Sequence, residues 1–100
     1  MTDEPERLPN PHAGDILLHE FLKPLGMSQL ALSRAIGIPC RRLNKIVKGT
    51  RPLRADEDLR LSRYFGVSDG LFLRLQNDYD LMERRRQIAD QLDRITPRAA

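Results

Sequence analysis

The sequence predicts an all-α fold of five helices with a helix-turn-helix inside it, followed by a helical C-terminal extension. Three observations carry that expectation. No stretch alternates apolar and polar residues as a strand would. Glycine and proline punctuate a succession of apolar series at helical spacing. Residues 28–48 read as two short helices joined by a tight turn. One hundred residues support a single modest core, divided into an arm over 1–11, a helix-turn-helix domain over 12–82 and an extension over 83–100.

The arm holds three prolines and no periodicity, so it is expected to be flexible. The first helix starts near Gly14, carries Ile16, Leu17, Glu20 and Phe21 at helical spacing, and is stopped after Lys23 by Pro24 and Gly26. Ser28 is a good N-cap for a second helix over 29–36, which Gly37 closes. Pro39 opens a third helix, where its missing N–H costs nothing, and Gly49 ends it. A basic loop over 50–54 leads to a fourth helix over 55–65. Its first turn is favoured by Asp56, Glu57 and Asp58, but Arg54 stands where a capping Ser or Thr is expected. Ser68 can cap the fifth helix, in which Leu71, Leu75, Tyr79 and Met82 form an apolar stripe. Beyond Glu83 and three arginines, Ile88, Leu92 and Ile95 make a second, shorter stripe. It either folds back as a sixth helix or pairs with its copy in a second subunit. We favour the pairing, with Leu81, Ile88, Leu92 and Ile95 lining a homodimer contact.

The charge is distributed unevenly. Between Phe21 and Ala55 lie eight Lys and Arg and no Asp or Glu, although the whole chain has a formal charge of only +3. Such an asymmetry marks one face built for a polyanion. It overlies the helix-turn-helix, where Leu32, Ile36, Ile38, Leu43 and Ile46 fill the inward positions, Ser33 takes the close-approach point and Gly37 the turn. With Leu43, Ile46 and Val47 turned inward, the third helix presents Arg41, Asn44, Lys45 and Lys48 outward, with Cys40 at its N-terminal edge. Arg and Lys donate to guanine O6 and N7, and Asn matches adenine N6 and N7. Arg41, Asn44 and Lys45, with Cys40 beside them, are therefore the expected base readers of double-stranded DNA. Ser28, Gln29, Arg42, Lys48, Thr50 and Arg51 are the expected phosphate contacts.

Other chemistries find no support. His19-Glu20 would begin a zinc-protease motif, but residue 23 is Lys rather than the second His. There is no phosphate-cradling glycine loop and no paired-carboxylate arrangement. Cys40, His12 and His19 are too few for a metal site, so no metal and no cofactor are expected. His12 is expected to order the turn before the first helix. Cys40 sits at a helix N-terminus beside two arginines and is read as a small tolerated side chain rather than a redox switch. No apolar run is long enough for a membrane, the acidic start lacks a secretory h-region, and the lone cysteine fits a reducing cytoplasm.

Several runs resemble the HigA family of addiction-module antitoxins. They are Pro11-His12-Ala13-Gly14-Asp15-Ile16-Leu17, then Glu20 through Gln29, Ile38 through Val47, Ala55-Asp56 with Leu59 through Gly66, and Leu75-Gln76 with Tyr79-Asp80. The resemblance spans about residues 11–97. It implies a Cro/repressor-like domain in a homodimer that binds operator DNA, represses its own operon and neutralises a HigB-type ribonuclease toxin. The alternative within the same fold is a stand-alone transcriptional regulator with no toxin partner. Arg54 and Glu57 replace residues that are commonly Thr in the family, and Phe72 stands where Trp is frequent. Those departures are expected to bear on stability more than on DNA reading.

Overall fold

A computed structural model describes residues 10–99, so the expected arm over 1–11 lies, except for its last two residues, outside them. The described chain is helical, with no strand. Helix α1 covers 13–25 in three continuous pieces: α-helical at Ala13–Ile16, π-helical at Leu17–Leu22 and α-helical at Lys23–Leu25. It therefore passes through Pro24 rather than stopping there, and ends at Gly26. In the wider register Lys23 N–H donates to Leu18 O, five residues back. Proline is tolerated one position later because the ladder that its ring would obstruct is already opened. His12 starts the helix: its Nδ1 accepts from Asp15 N–H at 3.2 Å, and Asp15 Oδ2 accepts from His12 N–H at 3.3 Å.

Helix α2 is Gln29–Ile36 and α3 is Cys40–Lys48, and their boundaries match the sequence expectation. Between them Gly37 adopts φ 73°, a left-handed conformation that favours glycine, and its N–H returns to Ser33 O. Helix α4, Ala55–Phe65, begins without a Ser or Thr cap. Glu57 instead reaches back so that Oε1 accepts from Arg54 N–H at 2.7 Å. Helix α5 is Leu71–Gln87, and its cap differs from the expected Ser68. The buried Asp58 of α4 accepts from Gly70 N–H at 2.6 Å, Phe72 N–H at 2.9 Å and Leu73 N–H at 3.1 Å. A carboxylate from a neighbouring helix thus satisfies the orphan donors of the first turn and complements its dipole.

The core lies where these helices converge. Leu17, Leu22, Leu32, Leu43, Leu61 and Phe72 are wholly buried, and Ile36, Ile38, Ile46, Val47 and Leu53 close around them. In α5 the buried side chain is Phe72, beside the stripe expected from spacing. Leu71, Leu75 and Tyr79 are only half-buried, and Met82 is exposed. Phe72 wins the inward position because it meets Phe21 at 5.3 Å between ring centroids, and Phe21 in turn meets Phe65 at 4.9 Å. Helix α5 leaves the core before its end. Ile88 breaks it, and a five-residue helix α6, Ala89–Asp93, packs on its last turn. The short stripe gains little cover there, with Leu92 at 40% and Ile95 at 67% exposure.

Candidate nucleic-acid interface

Helix α3 is amphipathic because its sequence leaves no choice of inward face. Leu43, Ile46 and Val47 are buried against α1 and α2, and the opposite surface exposes Arg41, Lys45 and Lys48. Asn44 and Cys40 are half-buried at its margins, Cys40 as a free thiol. All four outward residues expected from spacing thus share one face. Pro39, Arg41, Arg42, Lys45 and Arg51 line an open cleft of about 370 Å³ along it.

The expected phosphate contacts fall into three groups. At the start of α2, Ser28 Oγ accepts from Ala31 N–H at 3.0 Å, leaving the N–H groups of Gln29 and Leu30 without helical partners and the helix dipole behind them. Gln29 Oε1 accepts from Asn44 Nδ2 at 3.1 Å, which ties the start of α2 to the reading face of α3. At the far end of α3, Lys48 is exposed, while Thr50 turns its hydroxyl to Lys45 O at 3.3 Å and so closes the helix. Arg42 and Arg51 form the third group. Both contact Glu57 Oε2, Arg42 through Nε at 2.9 Å and Arg51 through Nη1 at 2.8 Å.

Four residues support this face through contacts that the sequence does not announce. Gly14 of α1 presses on α3: a Cβ there would meet Ile46 O at 2.1 Å and Val47 O at 2.6 Å. Glycine in a helical stretch was its only local signal. Arg60 of α4 donates through Nη1 to Ile36 O at 2.7 Å and Gly37 O at 3.3 Å, covering the carbonyls at the end of α2, while Asp56 holds its Nε. The third is Glu57, the second acid after the acid-free segment. Gln76 clamps the loop that follows α3, its amide bonding both the N–H and the carbonyl of Leu53.

The residues expected at a subunit contact lie apart from this face, on the outer end of α5 and beyond. Leu81 is 59% exposed there, and Ile88 is half-buried at the break before α6. Among the described residues no group of His, Cys, Asp and Glu could hold a metal ion, and no helix is long and apolar enough to cross a membrane.

Comparison with known proteins agrees with the geometry. The helix-turn-helix family model matches residues 18–72, which span α1 to the first residues of α5. The Pseudomonas aeruginosa antitoxin HigA, solved with the higBA promoter, superposes with a TM-score of 0.83 at 34% identity, covering 91% of this chain and 100% of that one. A HigA-family addiction-module antidote protein from Coxiella burnetii gives a TM-score of 0.84 at 30% identity, covering 91% and 100%. Virulence-associated protein I of Dichelobacter nodosus is 45% identical over 74 residues, 74% of this chain and 68% of that protein.

Proposed function

The chain belongs to the helix-turn-helix family and is a HigA-type antitoxin by kinship, and from that premise we propose how it acts. It binds its own operator as a homodimer, represses the operon and neutralises a HigB-type ribonuclease toxin in the cytoplasm. The observation that carries the DNA half of this reading is the outward face of α3. Arg41 and Lys45 project from a helix whose other side is locked into the core, with the half-buried Asn44 beside them on the same face. These are the donors and acceptors that major-groove edges require. Arg41, Asn44 and Lys45 read bases, with Cys40 packed beside them. Ser28, Gln29, Arg42, Lys48, Thr50 and Arg51 stand around the reading face where the DNA backbone would pass.

Two-fold operators require a two-fold protein. Leu81, Leu92 and Ile95 offer exposed apolar surface away from α3, and with Ile88 they are the proposed contact between subunits. A dimer formed there leaves both reading faces free, with half-sites centred about one helical turn apart, ~34–36 Å.

Two measurements test the reading. Binding to a duplex from upstream of its own gene should weaken steeply with salt, since a dimer that neutralises about 6–10 phosphates releases that many counterions. Affinity unchanged between low and physiological salt refutes the charge argument. Co-expression with the product of the adjacent gene should yield a complex in which the partner's ribonuclease activity is suppressed. Operator binding without any such complex identifies a stand-alone regulator instead.

A further inference from the structure

We infer that Glu57 is a positioning residue for DNA recognition, one that fixes Arg42 and Arg51 and withholds part of their charge, raising discrimination between sequences at the expense of raw attraction. The inference rests on the operator-binding reading above and assigns it a residue outside the reading helix.

Glu57 is 1% exposed, so its carboxylate lies essentially out of water. It is held in place by Arg54 N–H on one oxygen; its other oxygen accepts a hydrogen bond from Arg51 Nη1 and pairs by charge with Arg42 Nε at 2.9 Å, without hydrogen-bond alignment. Both arginines still reach solvent, with side chains 35% and 21% exposed, and both line the cleft with Arg41 and Lys45. Asp56 Oδ2 lies 3.7 Å from Arg42 Nη2 and adds a weaker restraint on the same side chain.

Two consequences follow from this geometry. A free arginine on a helix surface can follow a phosphate on any duplex, because its long side chain has many rotamers. A guanidinium paired with a buried carboxylate is restrained, since leaving gives up half of the charge compensation of a group held away from water. Its fork then suits only DNA whose backbone passes at the matching place, which makes backbone contacts sensitive to groove shape. The second consequence is electrostatic. The carboxylate offsets one of the two positive charges, and its repulsion of phosphates is felt by every sequence alike. It lowers non-specific binding without favouring any base.

The test is Glu57→Gln. Its amide oxygen can still accept from Arg54 N–H, so α4 keeps its start, and its size is unchanged. Affinity for a random duplex should rise about three- to tenfold, and the salt slope should steepen by up to about one phosphate per subunit. Operator affinity should rise less or fall, so the operator-to-random ratio drops. A folded Glu57→Gln protein with the wild-type ratio and slope overturns the inference. Should that variant not fold, Arg51→Lys with Glu57 intact keeps the charge and loses the fork. It should lower the ratio at an unchanged salt slope, and an unchanged ratio overturns the inference again. Wild-type protein that does not prefer its own upstream duplex refutes the operator reading itself, an outcome distinct from either variant's.

Discussion

Gly14→Ala tests whether the first helix sets the position of the reading helix. The added Cβ would lie 2.1 Å from Ile46 O, 2.6 Å from Val47 O and 2.8 Å from Val47 Cα, where ordinary contact begins at 3.4 Å. All three atoms are backbone, so no rotamer change relieves the overlap. One helix must move by more than an ångström or the contact must open. Overpacking of this kind costs about 1–3 kcal/mol, against a helix-propensity gain of at most ~1 kcal/mol for replacing glycine. With the full gain subtracted, the net loss is up to about 2 kcal/mol, a fall in Tm of roughly 4–8 °C for each kcal/mol in a domain of this size. The shift also displaces Arg41, Asn44 and Lys45 relative to the rest of the DNA-facing surface. Losing one good base contact of ~1–3 kcal/mol lowers operator affinity by about five- to 150-fold, and weakening it by less. Thermal unfolding by circular dichroism and fluorescence anisotropy on a labelled operator read the two effects separately. A variant that melts at or above the wild-type temperature and binds the operator normally would refute the close approach of α1 to α3.

Arg41→Ala should lower operator affinity by ~1–3 kcal/mol while changing random-duplex binding far less, as competition titrations would show. Equal losses on both duplexes would make Arg41 a phosphate contact. Asp58→Ala removes the acceptor of three N–H groups at the start of α5 and should cost about 2–4 kcal/mol in urea unfolding. Stability within experimental scatter of wild type would mean that water replaces the carboxylate there. Truncation after Arg86 should give a helical protein that sediments as a monomer and binds the operator weakly, because two linked half-site contacts become independent. A truncated protein that remains dimeric would move the subunit contact to another surface.

The helix-turn-helix was legible because what specifies it is local. Leu32, Ile36, Leu43 and Ile46 declare their faces by spacing within two short helices, and Gly37 marks the turn between them. The expected outward set of Arg41, Asn44, Lys45 and Lys48 followed directly. What escaped was long-range. Arg60 covers the carbonyl of Ile36 from 24 positions away, and no periodicity announces that. Asp58 reads as a first-turn acid of its own helix, yet serves the start of the next. Ser68 has the chemistry of a cap, but a carboxylate approaching from α4 satisfies the donors first. Pro24 reads as a stop because the rule against proline assumes an unbroken α register, and α1 is π-helical just before it. Glu57 reads as a change that bears on stability because the sequence does not show that Arg42 and Arg51 converge on it.

The hydrogen bond between Asn44 and Gln29 has a consequence for how specificity could drift among relatives. The two amides join a side chain on the reading face to one at the start of the preceding helix. Replacing either alone would leave the other amide with an unmatched group and a changed orientation. A lineage acquiring a new base preference at position 44 would therefore meet a penalty at position 29 first. Substitutions at these two positions should arrive as a pair, whereas Arg41 and Lys45, exposed on the same face, are free to change one at a time.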